Sequence, residues 1–144
     1  MKGEILMQTF LPYPDYSLSA LCLHPIKHLG NQFYREGLTL LRGGWKNHPA
    51  SKMWQGYEYS LCDYLIACYW QLREYGKNYQ KHYFEVLMIQ DQLENTGKPF
   101  WLGNEKFHAS HRSNLLRKDI EKGWNWYCQF GWAEPPDLEY IWPA

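Results

Sequence analysis

Apolar side chains recur along this chain at helical rather than strand spacing. Leu29, Phe33, Glu36 and Leu40 follow i, i+4, i+7, i+11, which places them on one helical face with a carboxylate in its middle, and Gly43-Gly44 supplies the stop. Leu61, Tyr64, Leu65, Cys68, Tyr69 and Leu72 form the clearest amphipathic pattern, ending at Gly76. The spacing predicts a third helical region over 79–93 and a fourth over 105–122, separated by the turn-like "NTGKPFWLGN". Two prolines in "FLPYPDY" forbid a regular helix over 1–15, so an extended arm is expected there, leading to a helix capped near Asp15 or Ser17 that Pro25 interrupts. In "WKNHPASKMW", Asn47 or His48 is a cap with Pro49 at the first helical position, and Gly56 is placed to break or kink that helix. The tail, 123–144, is rich in aromatic residues and prolines and is expected to be irregular and packed across the helices. No repeat, low-complexity tract or linker divides the chain. These patterns predict one mainly α, compact domain over 1–144, with about four helices and an aromatic-rich C-terminal segment.

Composition adds two constraints. Aromatic residues make up 18% of the sequence, including 8 Trp and 12 Tyr, so the rings can serve as core, as a platform for a flat ligand, or as both. Fifteen basic side chains balance fifteen acidic ones, for a formal net charge of zero, which argues against tight non-specific binding to a duplex. A positive face can still exist, and the segment holding Lys106, Arg112, Arg117 and Lys118 is the best candidate. No apolar run approaches a membrane span, and "MKGEILMQTF" has no signal-peptide core, so a cytoplasmic location is expected. Cys22, Cys62, Cys68 and Cys128 lack metal-ligand spacing and read as buried thiols, with no metal or cofactor expected.

Three groups of residues could carry chemistry. Glu36 lies on a face that ought to be buried, where desolvation disfavours its charge, and either a structural ion pair with Arg112 or Arg42 or a functional carboxyl explains it. His108, His111, Arg112 and Leu115 fall on one side of the fourth helix, a plausible anion or base site, or else a solvated polar face. His108-Ala109-Ser110 fits one element of the two-histidine phosphoesterases, but the segment from His48 to Ser51 is one residue too long to be its partner. Trp124, Trp126, Tyr127, Phe130 and Trp132 come close behind, and two or three such rings make a working base platform or an aromatic lid over the core.

The stretch "HASHRSNLLRKDIEKGWNWYCQFGW" resembles the C-terminal part of the pyrimidine-dimer DNA glycosylases of the phage endonuclease V type. In those enzymes a last long helix leads to a Trp-Tyr-x-x-x-Gly segment, here Trp126, Tyr127 and Gly131. The helix after "NHPASKMWQG" is similar to theirs. From Met7 to Pro143 the chain looks still more like uncharacterised phage and bacterial proteins grouped with them, which share "MQTFLPYPD", "GWKNHPA", "WLGNE", "FHASHRSNLLRKD" and "YIWP". The resemblance implies a compact helical fold that flips a nucleotide from the duplex, attacks its sugar with an N-terminal amine to form an imine, and cleaves the strand with a nearby glutamate. His28, ahead of Leu29, stands where the family carries that glutamate, so Glu36 would act from about two turns later. A start at Met1-Lys2 or Met7-Gln8 presents a large second residue, and neither is expected to expose Thr9.

Two functions are consistent with these residues. One is glycosylase or AP-lyase action on a damaged or modified pyrimidine, with Glu36 as acid/base and His108 and His111 as proton carriers. Arg112, Arg117 and Lys118 would then meet phosphates, with His28, Gln32 and Asn114 as further ligand contacts and Trp124, Trp126 and Tyr127 stacking on bases. The other is a scaffold without lyase chemistry that captures or degrades a small nucleotide, such as a phage protein acting on a host immune signal. DNA or a nucleotide is the expected partner, and the many rings make a homo-oligomer a further expectation.

Overall fold

A computed structural model describes residues 8–143, so both candidate starts, Met1 and Met7, lie outside the described residues. The described residues form six α-helices: α1 (Tyr16–Cys22), α2 (Leu38–Leu41), α3 (Pro49–Trp54), α4 (Glu58–Glu74), α5 (Gln80–Asp91) and α6 (Glu105–Lys122). A π-helical segment, Asn31–Gly37, runs directly into α2, and a 3-10 turn covers Tyr127–Phe130. There is no strand among the described residues. The expected four helices become six because two of them are split. Pro25 sits in a turn between α1 and the π segment, and Gly56, at φ 86°, turns the chain between α3 and α4. Among the described residues no helix is long and apolar enough to cross a membrane.

The helix ends reflect local chemistry. The Asp15 carboxylate accepts the Leu18 N–H (2.9 Å) at the start of α1, and His48 Nδ1 accepts the Ala50 N–H (3.0 Å) ahead of Pro49 in α3. The Asn104 side chain accepts the Phe107 N–H (3.1 Å) at the start of α6, and Gly123, at φ 69°, closes that helix in the left-handed conformation. Helix α4 lies at the centre, packed on α1, α5 and the π segment, and it buries Leu61, Tyr64, Leu65, Cys68, Tyr69 and Leu72.

The wider π turn displaces the 3.6-residue pattern. Gly37 and Leu38 are fully buried while Glu36 is only half-buried, so the carboxyl comes to the edge of the apolar face instead of its middle. Gly37 permits this close approach: a Cβ there would stand 2.2 Å from Leu65 Cδ2 and 2.6 Å from the Gln32 carbonyl oxygen. Leu65 can rotate, but the carbonyl belongs to the helix itself. Gly37→Ala is expected to destabilise the protein by about 1–3 kcal/mol, seen as a lower urea midpoint at unchanged slope. A midpoint equal to wild type would mean that the π turn relaxes without cost.

The N-terminal arm is not peripheral. Thr9, Phe10 and Leu11 are essentially inaccessible to solvent. Without a neighbouring strand, their backbone groups need side-chain partners. Gln32 Oε1 accepts the Phe10 N–H (2.7 Å), Gln32 Nε2 donates to the Gln8 carbonyl (2.7 Å), and the Tyr64 hydroxyl donates to the Phe10 carbonyl (2.8 Å). On the opposite side α6 completes the cradle. His111 Nδ1 accepts the Leu11 N–H (2.8 Å), His108 Nδ1 donates to the Leu11 carbonyl (2.7 Å), and Arg112 donates to the Pro12 carbonyl (2.8 Å). On the same helix, Ser110 and Ser113 accept the Ile141 and Leu138 N–H groups (3.1 and 2.9 Å), binding the irregular tail to α6. The burial of a polar helix face thus arises from two segments that lack regular secondary structure.

Candidate active site

Gln8, where the described arm begins, stands between two cavities. The narrower, of about 190 Å³, is lined by Gln8, Phe10, Lys27, His28, Asn31, Arg35, Glu36 and Lys118. The wider, of about 510 Å³, shares Gln8 and Lys118 and adds Asn114, Arg117, Glu121, Asp137, Glu139, Tyr140 and Trp142. Three cations, those of Lys27, Arg35 and Lys118, surround the single carboxyl of the narrow cleft.

Glu36 is the unusual group there. Its Oε2 is buried with no hydrogen-bond partner, and burial pushes the carboxyl up to about 7, against the opposing pull of Arg35. A carboxyl that loses its proton near neutrality can take up or release one at the pH of a cell. His28 faces the same cleft in a fixed state. The Tyr127 hydroxyl accepts the His24 N–H (3.0 Å) and shares a hydrogen bond with His28 Nδ1. Burial, aided by Lys118 and His24, lowers the imidazole to about 3, so it remains neutral rather than a cation.

Lys118 borders both cavities, with Nζ 5.9 Å from the centre of the Phe10 ring. It forms no salt bridge with any described residue, unlike Arg112 with Glu105 and Glu134. Burial lowers its ammonium, with Lys122 and Arg117 acting in the same direction against Glu121. Arg117 donates to the Asn114 side-chain oxygen Oδ1 and to the Pro136 backbone carbonyl (2.8 Å for the latter), so the tail fixes the guanidinium at the rim of the wider cavity.

The expected site residues therefore separate. The clefts collect Glu36, His28, Lys118, Asn114 and Arg117, with Gln32 directly behind them positioning Gln8 and Phe10. His108, His111 and Arg112 line neither cavity and are engaged by the arm. His108 Nε2 also accepts the Gly103 N–H (2.9 Å), and burial lowers both imidazoles, His111 far below its ordinary value. Of the tail rings, Trp124 packs edge-on against His28 at 5.1 Å. Trp126 donates to the Cys22 carbonyl (2.7 Å) and Tyr127 is fully buried, so both brace the wall from behind.

Sequence reasoning passed over Gln8, Lys27, Arg35, Tyr140 and Trp142. Lys27, Asn31 and Arg35 carried a usable signal, a polar stripe at i, i+4, i+8 beside Glu36. The tail residues carried none, because only tertiary packing returns them to the arm. No group of His, Cys, Asp and Glu among the described residues is arranged to hold a metal ion.

A family model described as pyrimidine dimer DNA glycosylase matches residues 7–83, more than half of the chain. The chain belongs to that family. The matched stretch contains the arm, the π segment with Glu36, and α1 to α4, so all residues lining the narrow cleft except Lys118, which comes from α6, lie within it. No curated protein and no solved structure matches the chain.

Proposed function

We propose that this member of the pyrimidine dimer DNA glycosylase family acts on lesion-bearing DNA, excising a damaged pyrimidine or cutting at the abasic site left behind, with Glu36 as the proton-transferring carboxyl. The observation that carries this reading is the buried, unpartnered Glu36 oxygen in a cleft whose other lining residues include Lys27, Arg35 and Lys118. Lys27, Arg35 and Arg117, which line the two clefts, would meet phosphates, and the narrow cleft would take a sugar rather than a stacked base pair. A free nucleotide fits less well, since Glu121, Asp137 and Glu139 on the wider rim oppose a polyphosphate. The neutral total charge is compatible with this reading if recognition depends on a few local cations and a flipped nucleotide rather than a basic stripe.

Duplexes carrying one pyrimidine dimer or one abasic site, resolved on denaturing gels, test the proposal. Cleavage at the lesion and none in undamaged DNA is the expected result. Binding should weaken with salt at a log–log slope no steeper than about −4, the value for some four phosphate contacts. Intact strands with both substrates, at low salt and across neutral pH, would overturn the reading.

A further inference from the structure

We infer that the outer face of α5 is a self-association surface, on which a second copy of this chain packs its own α5 antiparallel about a two-fold axis. The inference goes beyond the proposed activity and does not depend on it. The inner side of α5 is occupied. Val86 is fully buried, Gln90 donates to the Asp63 carboxylate of α4 (2.8 Å), and Glu85 is held by Arg42 (2.6 Å). On the opposite side Lys81, Phe84, Met88 and Asp91 recur at i, i+3, i+7, i+10 and are all exposed, the spacing of a helix-pairing seam. Phe84 and Met88, at its centre, are 53% and 71% exposed, although burying such side chains stabilises by roughly 1.5–3 kcal/mol each. Together with Ile89 and Leu93 they line a groove of about 530 Å³. Aromatic rings continue the apolar surface onto α4, with Phe84 meeting Tyr83 at 5.9 Å and Tyr83 meeting the half-exposed Trp70 at 5.8 Å.

The charges at the two ends of the stripe select the occupant and its direction. An axis midway between Phe84 and Met88 is also midway between Lys81 and Asp91. Antiparallel pairing therefore sets Phe84 against Met88 and Lys81 against Asp91, each twice over. The ring and the thioether make a favourable contact, and the two ion pairs close the ends of the seam. Parallel helices would instead oppose lysine to lysine and aspartate to aspartate. Neither Lys81 nor Asp91 forms a salt bridge with a described residue, and Arg42 already engages Glu85 beside the stripe. An unrelated partner would have to carry the complementary pattern, whereas a second copy supplies it by symmetry. A contact centred on one helix pair is at the small end of specific interfaces, which bury about 1,200–2,000 Å² in total, so the dimer is weak and concentration-dependent.

Sedimentation equilibrium of the full-length protein, from low micromolar to near-millimolar concentration, tests the inference. A reversible monomer–dimer equilibrium is the expected result. Met88→Asp places a carboxylate in the seam and should leave a monomer at every concentration. Because Met88 is exposed, that variant should keep the wild-type circular dichroism spectrum and melting temperature. Lys81→Glu and Asp91→Lys each turn two attractions into two repulsions and should weaken the dimer about tenfold at low salt, and the double variant should restore it. A wild-type protein that is monomeric throughout overturns the inference, whatever else then covers this face. So does a dimer that survives Met88→Asp, since its contact lies elsewhere. A dimer that Met88→Asp dissolves, but that the single charge reversals leave unchanged or the double variant fails to restore, overturns the antiparallel pairing.

Discussion

Glu36→Gln is expected to lower the rate of strand incision by about 10²–10⁴-fold, the usual contribution of a positioned acid or base, while affinity for abasic-site DNA stays close to wild type. The amide fills the same volume but cannot take the sugar proton. Because burial raises the carboxyl to about 7, incision by the wild-type protein should increase as the pH rises through that value, and this limb should be missing from the variant. Stability should move the other way. A carboxyl whose folded value lies above its ordinary 4.5 contributes fully below the ordinary value, and the contribution is lost as the pH rises towards about 7. Glu36→Gln should therefore melt higher than wild type at about pH 8 and not at about pH 4. A variant that cuts as fast as wild type would assign proton transfer to another group. Equal melting at both pH values would mean that the carboxyl is solvated rather than buried.

Arg112→Ala is expected to cost about 3–5 kcal/mol of stability, the range for removing one partner of a buried ion pair, and to lower the melting temperature by roughly 10 °C. The Arg112 side chain is 8% exposed, and its partner Glu134 18%. Glu105, its other partner, is 76% exposed and adds little. Truncation would leave the Glu134 carboxylate without its cation and the Pro12 carbonyl without its donor. Arg112 also holds the Glu134 carboxyl below its ordinary value. That stabilisation is complete above the ordinary carboxylate range and is lost as the pH falls through the lowered folded value. The acid side of the wild-type stability curve should thus be steeper than that of the variant. An unchanged melting temperature combined with a large loss of DNA affinity would instead make Arg112 a phosphate contact, the role its residue type first suggests.

These two residues illustrate how the molecule divides. Glu36 was conspicuous in the amino-acid pattern because a carboxylate interrupts an apolar face, and the anomaly is local. Its placement at a cavity wall depended on the π turn and on Gly37 packing against Leu65. Arg112 was equally conspicuous, as a cation beside two histidines, but its partners are an arm about 100 residues earlier and a glutamate 22 residues later. No local periodicity encodes such pairings.

Helical periodicity and capping chemistry determined the helical class, the course of α4, α5 and α6, and most helix ends, since those depend on neighbours within one or two turns. Tertiary structure alone decided that the arm runs through the core, that the polar face of α6 satisfies its backbone, and that Lys118 and Arg117 reach the same clefts as Glu36 and His28. The physical reason is that an irregular buried segment must have its amide and carbonyl groups satisfied from distant parts of the chain. The side chains that do this are the same histidines, arginines and amides that elsewhere carry out catalysis.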